Sequence, residues 1–479
     1  MRSMSLLREI TPKLKGFCVS AQDILDRCAG QIMAEIEQGL EKHYKEVLNV
    51  SSADSHRMGL KPITFARQVL AACFYPSLLN DESIPLDARE RAQRILEECE
   101  GGSIGSYTAE RGIKKIQTSI CKFITKRDGV VSDPENIYIT NGSQASLIIV
   151  LKLLVQSEGS LKTGILTPVP SHSTFNMAVA AQGGLVVPYY LCEEQGWAVQ
   201  LEELRRALHT ARGQCNPTVL YVINPGSPTG QVQSKDSIAE VIRFAAEERL
   251  FLMVDEGHQD NVYGKGIEFY SYRRVLSEMG PPYSSTVELA SFNSISKSVI
   301  GECGLRGGYL ELVNLDPLVI PYIYRFISMN GCASLSGQIT VDVMVDPPQP
   351  TQPSYELYTQ EVQSIKRTIK NNAQKILELL SGLPGISCQP VNGGIFAFPR
   401  LHLSQSAIKH AKEKQLEPDL LYCLLLLEDE GLCVGAGCVH GQKEGTYHIR
   451  ISLATQEETM KDVLQRLKSF HLRFIKAFP

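Results

Sequence analysis

Residues 219–258, VLYVINPGSPTGQVQSKDSIAEVIRFAAEERLFLMVDEGH, decide the fold. Val219–Ile223 is an apolar run of β-branched and aromatic types, and Asn224-Pro225-Gly226 closes it with residues that end a strand. Ser234–Glu248 repeats its apolar residues at helical spacing, and Phe251–Val254 is apolar again and runs into Asp255. Strand, helix and strand in this order form a βαβ unit, whose two strands are parallel because a crossover helix separates them.

The same rhythm extends outward from about residue 110. Ile137–Thr140, Gly164–Thr167, Leu185–Tyr190, Leu289–Phe292 and Gly308–Leu312 read as further strands, and Gln144–Val155 and Leu201–Thr210 as helices. The expected fold class is α/β, a mainly parallel seven-stranded sheet with helices on both faces, joined to a smaller α+β domain. The Pro-rich segment VDPPQPTQP, Val345 to Pro353, breaks the rhythm, and the helical run Tyr355–Leu380 follows it. Beyond it, strand candidates Ile386–Gln389, Gly394–Phe398 and His448–Ile451 alternate with helix candidates at Ser404–Lys414, Pro418–Asp429 and Glu458–Phe470.

The chain's 479 residues allow one to three domains, and 43% hydrophobic with 21% charged residues excludes disorder, collagen-like repeats and disulfide scaffolds. Lys plus Arg number 48 against 52 Asp plus Glu, a net charge of −4, so no basic footprint for nucleic acid or an anionic membrane is present. The expected partner is a small molecule or another protein. The 13 cysteines contain no C-x-x-C pair and read as reduced thiols, with no metal site expected. Leu420–Leu427 is far shorter than the ~20 apolar residues that span a bilayer. The opening stretch MRSMSLLREITPKLKG lacks a secretory apolar core, so the expected compartment is the cytoplasm, with a short mitochondrial presequence as the alternative.

In an open parallel sheet, ligands bind beyond the carboxyl ends of the strands. Those positions hold Asn141-Gly142-Ser143-Gln144, His172, Asn224–Gly230, Asp255-Glu256-Gly257-His258 and Ser294-Ile295-Ser296-Lys297, which leads to Arg306. The Gly142 turn opens a helix and offers N–H groups to an anion. Lys297 follows an apolar strand among Ser294, Ser296 and Ser298, where partial desolvation would lower its pKa for Schiff-base chemistry. An acid for a pyridine nitrogen, a lysine for an aldehyde and an arginine for a phosphate are what pyridoxal 5'-phosphate requires. No G-x-G-x-x-G follows a strand, so a nicotinamide cofactor lacks its usual turn.

Asn224–Gly230, Asp255, Ser294–Lys297 and Arg306-Gly307-Gly308-Tyr309 together resemble the fold-type I, class I aminotransferases. Pro62–Phe65, Gly105-Ser106-Tyr107, Val222–Gly226, Asp260–Tyr263, Gly301–Gly304 and Glu444–Tyr447 extend the resemblance to the alanine-transferring members over nearly the whole chain. The resemblance implies a homodimer that passes the amino group of L-alanine to 2-oxoglutarate in a ping-pong cycle. It implies that Lys297 carries the cofactor as a Schiff base and shuttles the proton between Cα and C4′, and that Asp255 protonates the pyridine nitrogen. Arg306, Ser294 and the Gly142, Ser143 and Gln144 turn would hold the phosphate, and Tyr107 would reach a phosphate in the neighbouring subunit. Arg450 would clamp the substrate carboxylate, with Ala53 beside the substrate. The resemblance also places the first ~60 residues with the smaller domain. The division expected is 1–84, an N-terminal segment of the small domain, 85–345, the cofactor domain, and 346–479.

Three positions and one turn depart from that family pattern. Ser227 stands where the family has an Asn that donates to the cofactor's phenolic oxygen, His258 where it has a Tyr sharing that oxygen, and His172 where it has a ring-stacking aromatic. Ser51-Ser52-Ala53-Asp54 replaces an N-I-G-D turn near the substrate. Serine and neutral histidine still donate, so each degraded contact costs about 1 kcal/mol. Three readings stay open at this level: an alanine transaminase, a weakened or inactive relative that binds the cofactor or acts as a dimerising partner, and an enzyme for another amino donor. The remaining histidines, from His43 to His471, fit no ligand spacing and read as surface or helix-end residues, and Cys433 and Cys438 as buried thiols.

Overall fold

The computed structural model describes residues 19–156, 161–329 and 331–479. The stretch read above as a possible leader, residues 1–16, lies outside the described residues. Seven strands form one sheet: β1 (Ile137–Thr140), β2 (Thr163–Val169), β3 (Leu185–Tyr190), β4 (Asn216–Ile223), β5 (Phe251–Asp255), β6 (Leu289–Ser294) and β7 (Gly308–Val313), in the spatial order β1-β7-β6-β5-β4-β2-β3. Every pair is parallel except those made by β7, which lies antiparallel between β1 and β6. An antiparallel neighbour needs no crossover helix. The link from β6 to β7 is therefore free to be a loop, and it carries Lys297 and Arg306.

Side chains alternate along these strands, and the sheet is covered on both faces. Leu220, Val222, Leu252 and Val254 pack on one side with Leu204, Leu208, Ile238, Ile242 and Val275, where α3 (Lys235–Glu248) lies. Val219, Tyr221, Ile223 and Met253 point the other way, against Leu147 and Val150 of α1 (Ser143–Leu154) and Phe175 and Val179 of α2 (Ser173–Gln182). Burying each such aliphatic side chain contributes about 1.5–3 kcal/mol. This double coverage explains why the central strands read as continuous apolar runs.

A second sheet is built from short antiparallel segments around the strand Tyr447–Ser452, which pairs with Phe396–Ala397, Arg400–Leu401 and Gly435–Ala436. Leu25, Ile32 and Met58 share an apolar core with Ile376, Tyr422, Ile449, Val463 and Phe470. Ile63, Phe65, Val69 and Ile84 pack instead with Ile116, Ile137 and Ile339. The helix α4 (Tyr355–Ser381) joins the two: Tyr358 and Val362 rest on the second of these cores, and Ile369, Ile376 and Leu380 belong to the first.

Three histidines correct the expectation of surface positions. His440, His448 and His471 are buried. Their ring nitrogens are satisfied inside: His440 Nδ1 on Ser171 O at 2.9 Å, His448 on Gln442 and Glu193, and His471 on Tyr422 and on Pro384 O. An imidazole whose ring nitrogens find partners is tolerated in a core, and no spacing pattern in the sequence reveals such partners.

Candidate active site

The register of the sheet brings strand ends together, with Ile223 opposite Asp255 and Asp255 opposite Phe292. Beyond these ends lies a cavity of about 230 Å³, lined by Ser143, Gln144, His172, Ser227, Asp255, His258, Ser294, Lys297 and Arg306 among others. Nine of the site residues expected from sequence thus meet in one place. Gly142 caps the helix beneath them at φ 95°, and a Cβ there would come within 3.1 Å of Arg306 Nη2. Arg306 is fixed above the helix N-terminus by donating to Cys303 O at 2.9 Å and Asn141 O at 3.2 Å. A guanidinium over the N–H end of a helix suits a phosphate dianion.

Asp255 leaves β5 into this cavity. Its Oδ1 accepts from Gly257 N at 3.0 Å and its Oδ2 from the Tyr221 hydroxyl at 3.4 Å. Burial pushes its pKa up, against the pull of Gly257, Tyr221 and Lys297. Burial lowers the pKa of Lys297, helped by Arg450 and opposed by Cys303, Asp255 and Asp54. Both His172 and His258 are pushed down to about 3, first by burial and then by Lys297, so both are neutral near pH 7.

The loop bearing Ser227 is pinned at its root. Asn224 Nδ2 donates to Tyr270 O at 3.2 Å, its Oδ1 accepts from Gln233 N at 3.0 Å, and Gly226 N donates to Gln231 O at 2.8 Å. Ser294 is likewise committed, its Oγ donating to Gly307 O at 3.4 Å and accepting from Ser296 N at 3.0 Å.

Arg450 and Ala53 are not among the lining residues, but Ala53 touches Cys303 of the lining and Arg450 acts electrostatically on Lys297 and His172. The Arg450 guanidinium lies 4.4 Å from the Phe396 ring centroid and donates through Nη2 to Ser51 O. Burial lowers its pKa to about 10, which still leaves it charged. Ala53 O faces Cys303 Sγ at 3.7 Å. Tyr107 is not brought into the cavity and is 83% exposed.

The residues fit pyridoxal phosphate on one further observation. Ser227 Oγ and His258 Nδ1 are buried at the cavity without a hydrogen-bond partner among the described residues; Arg450 Nε, outside the lining, is likewise buried and unpartnered. Each such group costs about 1–3 kcal/mol until a ligand satisfies it. A ring carrying a phenolic oxygen, a basic nitrogen, an aldehyde and a phosphate matches Ser227 and His258, Asp255, Lys297, and Arg306 with the Gly142–Ser143 turn, respectively.

Sequence reasoning missed Tyr221, Phe175 and Cys303, which also line the cavity. The Phe175 ring stacks on Tyr221 with centroids 3.7 Å apart. Tyr221 has the parity of Ile223, the residue opposite Asp255, and that alternation is the signal that would have found it.

Residues 70–467 match the family model for aminotransferase class I and II. The chain is 46% identical over 451 residues to "Alanine aminotransferase 2" of Xenopus laevis, covering 94% of this chain and 84% of that protein. It is 44% identical to "Alanine aminotransferase 1" of Homo sapiens, with 93% and 90% covered. Among solved structures, an alanine aminotransferase from Pyrococcus furiosus superposes with a TM-score of 0.75 at 18% identity, covering 97% of this chain and all of that one, a likeness of fold.

Proposed function

Because the chain belongs to the class I and II aminotransferases, which depend on pyridoxal phosphate, we propose that it transfers the amino group of L-alanine to 2-oxoglutarate, giving pyruvate and L-glutamate. The observation that carries this reading is the meeting of Lys297, Asp255 and Arg306 in one cavity of a chain 46% identical to an alanine aminotransferase. Pyridoxal phosphate, when bound, supplies an aldehyde that takes up the amine and a ring that spreads the electron pair left by loss of the Cα proton.

The chain's own residues do the rest. Lys297, with its pKa lowered by burial, would hold the cofactor's aldehyde and serve as the base that takes and returns the substrate Cα proton. Asp255 would hold the pyridine nitrogen in its protonated form, and Tyr221 and Gly257 keep its carboxylate oriented. Arg306 and the Gly142–Ser143 turn would hold the phosphate, His172 would cover the ring, and Ser227 and His258 would donate to the phenolic oxygen. Arg450, braced by Phe396 and Ser51, clamps the substrate carboxylate by its planar fork, with Ala53 at the edge of the substrate pocket.

The working form is a homodimer in the cytoplasm. Tyr107, Leu318, Tyr322 and Met329 are each at least 67% exposed, and a second copy would cover this apolar surface and receive Tyr107 beside its phosphate. Among the described residues no helix is long and apolar enough to cross a membrane. The shared core of Leu25–Met58 with the C-terminal region supports a small domain built from both ends of the chain.

Absorption spectra of the purified protein with and without L-alanine test the reading. A cofactor band that L-alanine shifts and 2-oxoglutarate restores is expected, and a protein that shows no such band, or a band indifferent to both, overturns it.

A further inference from the structure

His440 lies on the short turn Gly437–His440, just before the strand that carries Arg450. It holds one residue at both ends: its Nδ1–H donates to Ser171 O at 2.9 Å, and its own carbonyl accepts from Ser171 N at 2.9 Å. Ser171 is fully buried, and the next residue is His172, the N-cap of α2 and part of the cavity lining. The contact joins two cores. The sheet next to His440 belongs to the apolar core shared with the N-terminal segment, while Ser171 follows β2 of the large sheet.

On the reading of the cavity given above, we infer that His440 is a positioning residue: its two-point clamp on Ser171 sets the place of His172 over the cofactor ring, so the small domain controls ring stacking. His440 touches neither substrate nor cofactor in this scheme and acts through Ser171. A backbone pair alone would fix distance, and the added ring donor fixes the rotation of the Ser171–His172 peptide as well. Several features hold the imidazole itself. Its ring meets Phe398 edge to face at 6.0 Å, and the following Gly441 approaches Val169 so closely that a Cβ would lie 3.3 Å from Val169 Cγ1. Burial, Arg450 and His172 all keep His440 neutral, which leaves Nδ1 with its proton for Ser171 and makes the clamp independent of pH near neutrality.

The test compares His440→Phe, which keeps an aromatic ring and loses the donor, with His440→Asn, whose Nδ2 can replace Nδ1. Both are assayed as full-length protein for pyridoxal phosphate affinity, for induced circular dichroism of the bound cofactor and for melting temperature of the cofactor-free chain. We expect His440→Phe to bind the cofactor roughly three- to tenfold more weakly, the loss of one hydrogen bond, and to show a dichroic band diminished out of proportion to any fall in melting temperature. His440→Asn restores the band and the affinity. The inference is overturned if His440→Phe leaves both unchanged, if His440→Asn is as impaired as His440→Phe, or if the losses follow the melting temperature. Wild-type protein that takes up no pyridoxal phosphate overturns the functional reading together with this inference, whereas wild-type uptake with His440→Phe unaffected overturns this inference alone.

Discussion

The Tyr221 hydroxyl donates to Asp255 Oδ2 at 3.4 Å from the neighbouring strand of the sheet. That bond favours the charged carboxylate, while burial opposes it. Replacing Tyr221 with Phe removes the donor, so the Asp255 pKa rises further and the acid limb of alanine turnover moves to higher pH. A pH–rate profile of the variant checks the direction, and a limb unmoved or moved to lower pH counts against the pairing. Asp255→Asn goes further and should lower kcat by roughly three orders of magnitude, about 4 kcal/mol, with the cofactor still bound.

Lys297 is the lysine that the cavity contains, and its amine is partly desolvated. Borohydride treatment of the cofactor-loaded protein followed by peptide mapping should place the pyridoxyl group there. Label on another lysine would move the site.

Arg450 is held by Phe396 and by Ser51 O, so its planar group faces one way. Arg450→Lys keeps the charge and loses the fork, and should weaken binding of alanine and 2-oxoglutarate alike by roughly ten- to hundredfold, about 1.4–2.8 kcal/mol. Half-reaction kinetics measure both substrates. Equal constants for variant and wild type would place the carboxylate clamp elsewhere.

Ser227 and His258 hold unpaired polar atoms at the cavity wall. The double substitution Ser227→Asn with His258→Tyr lengthens both donors and should raise alanine transamination by roughly one to two orders of magnitude, about 1.4–2.8 kcal/mol. A slower double variant from an already fast parent would mean that the serine and histidine serve a different amino donor.

His172 and His258 have folded pKa values of about 3 against 6.5 in the unfolded chain. Between those values the unfolded state binds more protons, so stability is full above pH 6.5 and falls as the pH drops toward 3. Melting temperature should therefore decline through this window, and His258→Gln should flatten the decline. The rate profile should show no histidine limb near pH 6.5.

The large sheet was legible because its strands are continuous apolar runs between Gly and Pro punctuation, and because the chemistry follows strand ends. Asp255, Lys297 and Arg306 could be read from that rule alone as a candidate constellation. Tyr221 could not, since a tyrosine inside such a run looks like core until the neighbouring strand supplies Asp255. His440 and His448 were misread as surface residues because their partners, Ser171 and Glu193, lie far away in sequence. Long-range pairing of this kind leaves no local period or spacing in the chain.

The helix Tyr355–Ser381 has one end seated in each core. At ~1.5 Å per residue it is a strut of about 40 Å, too stiff to absorb bending between the cores. Its seats also tie their melting together: exposing the Ile369–Leu380 end would strip cover from the other core through the same rod. Amide hydrogen exchange along this helix should therefore report a single opening free energy from end to end, with fraying confined to its terminal turns.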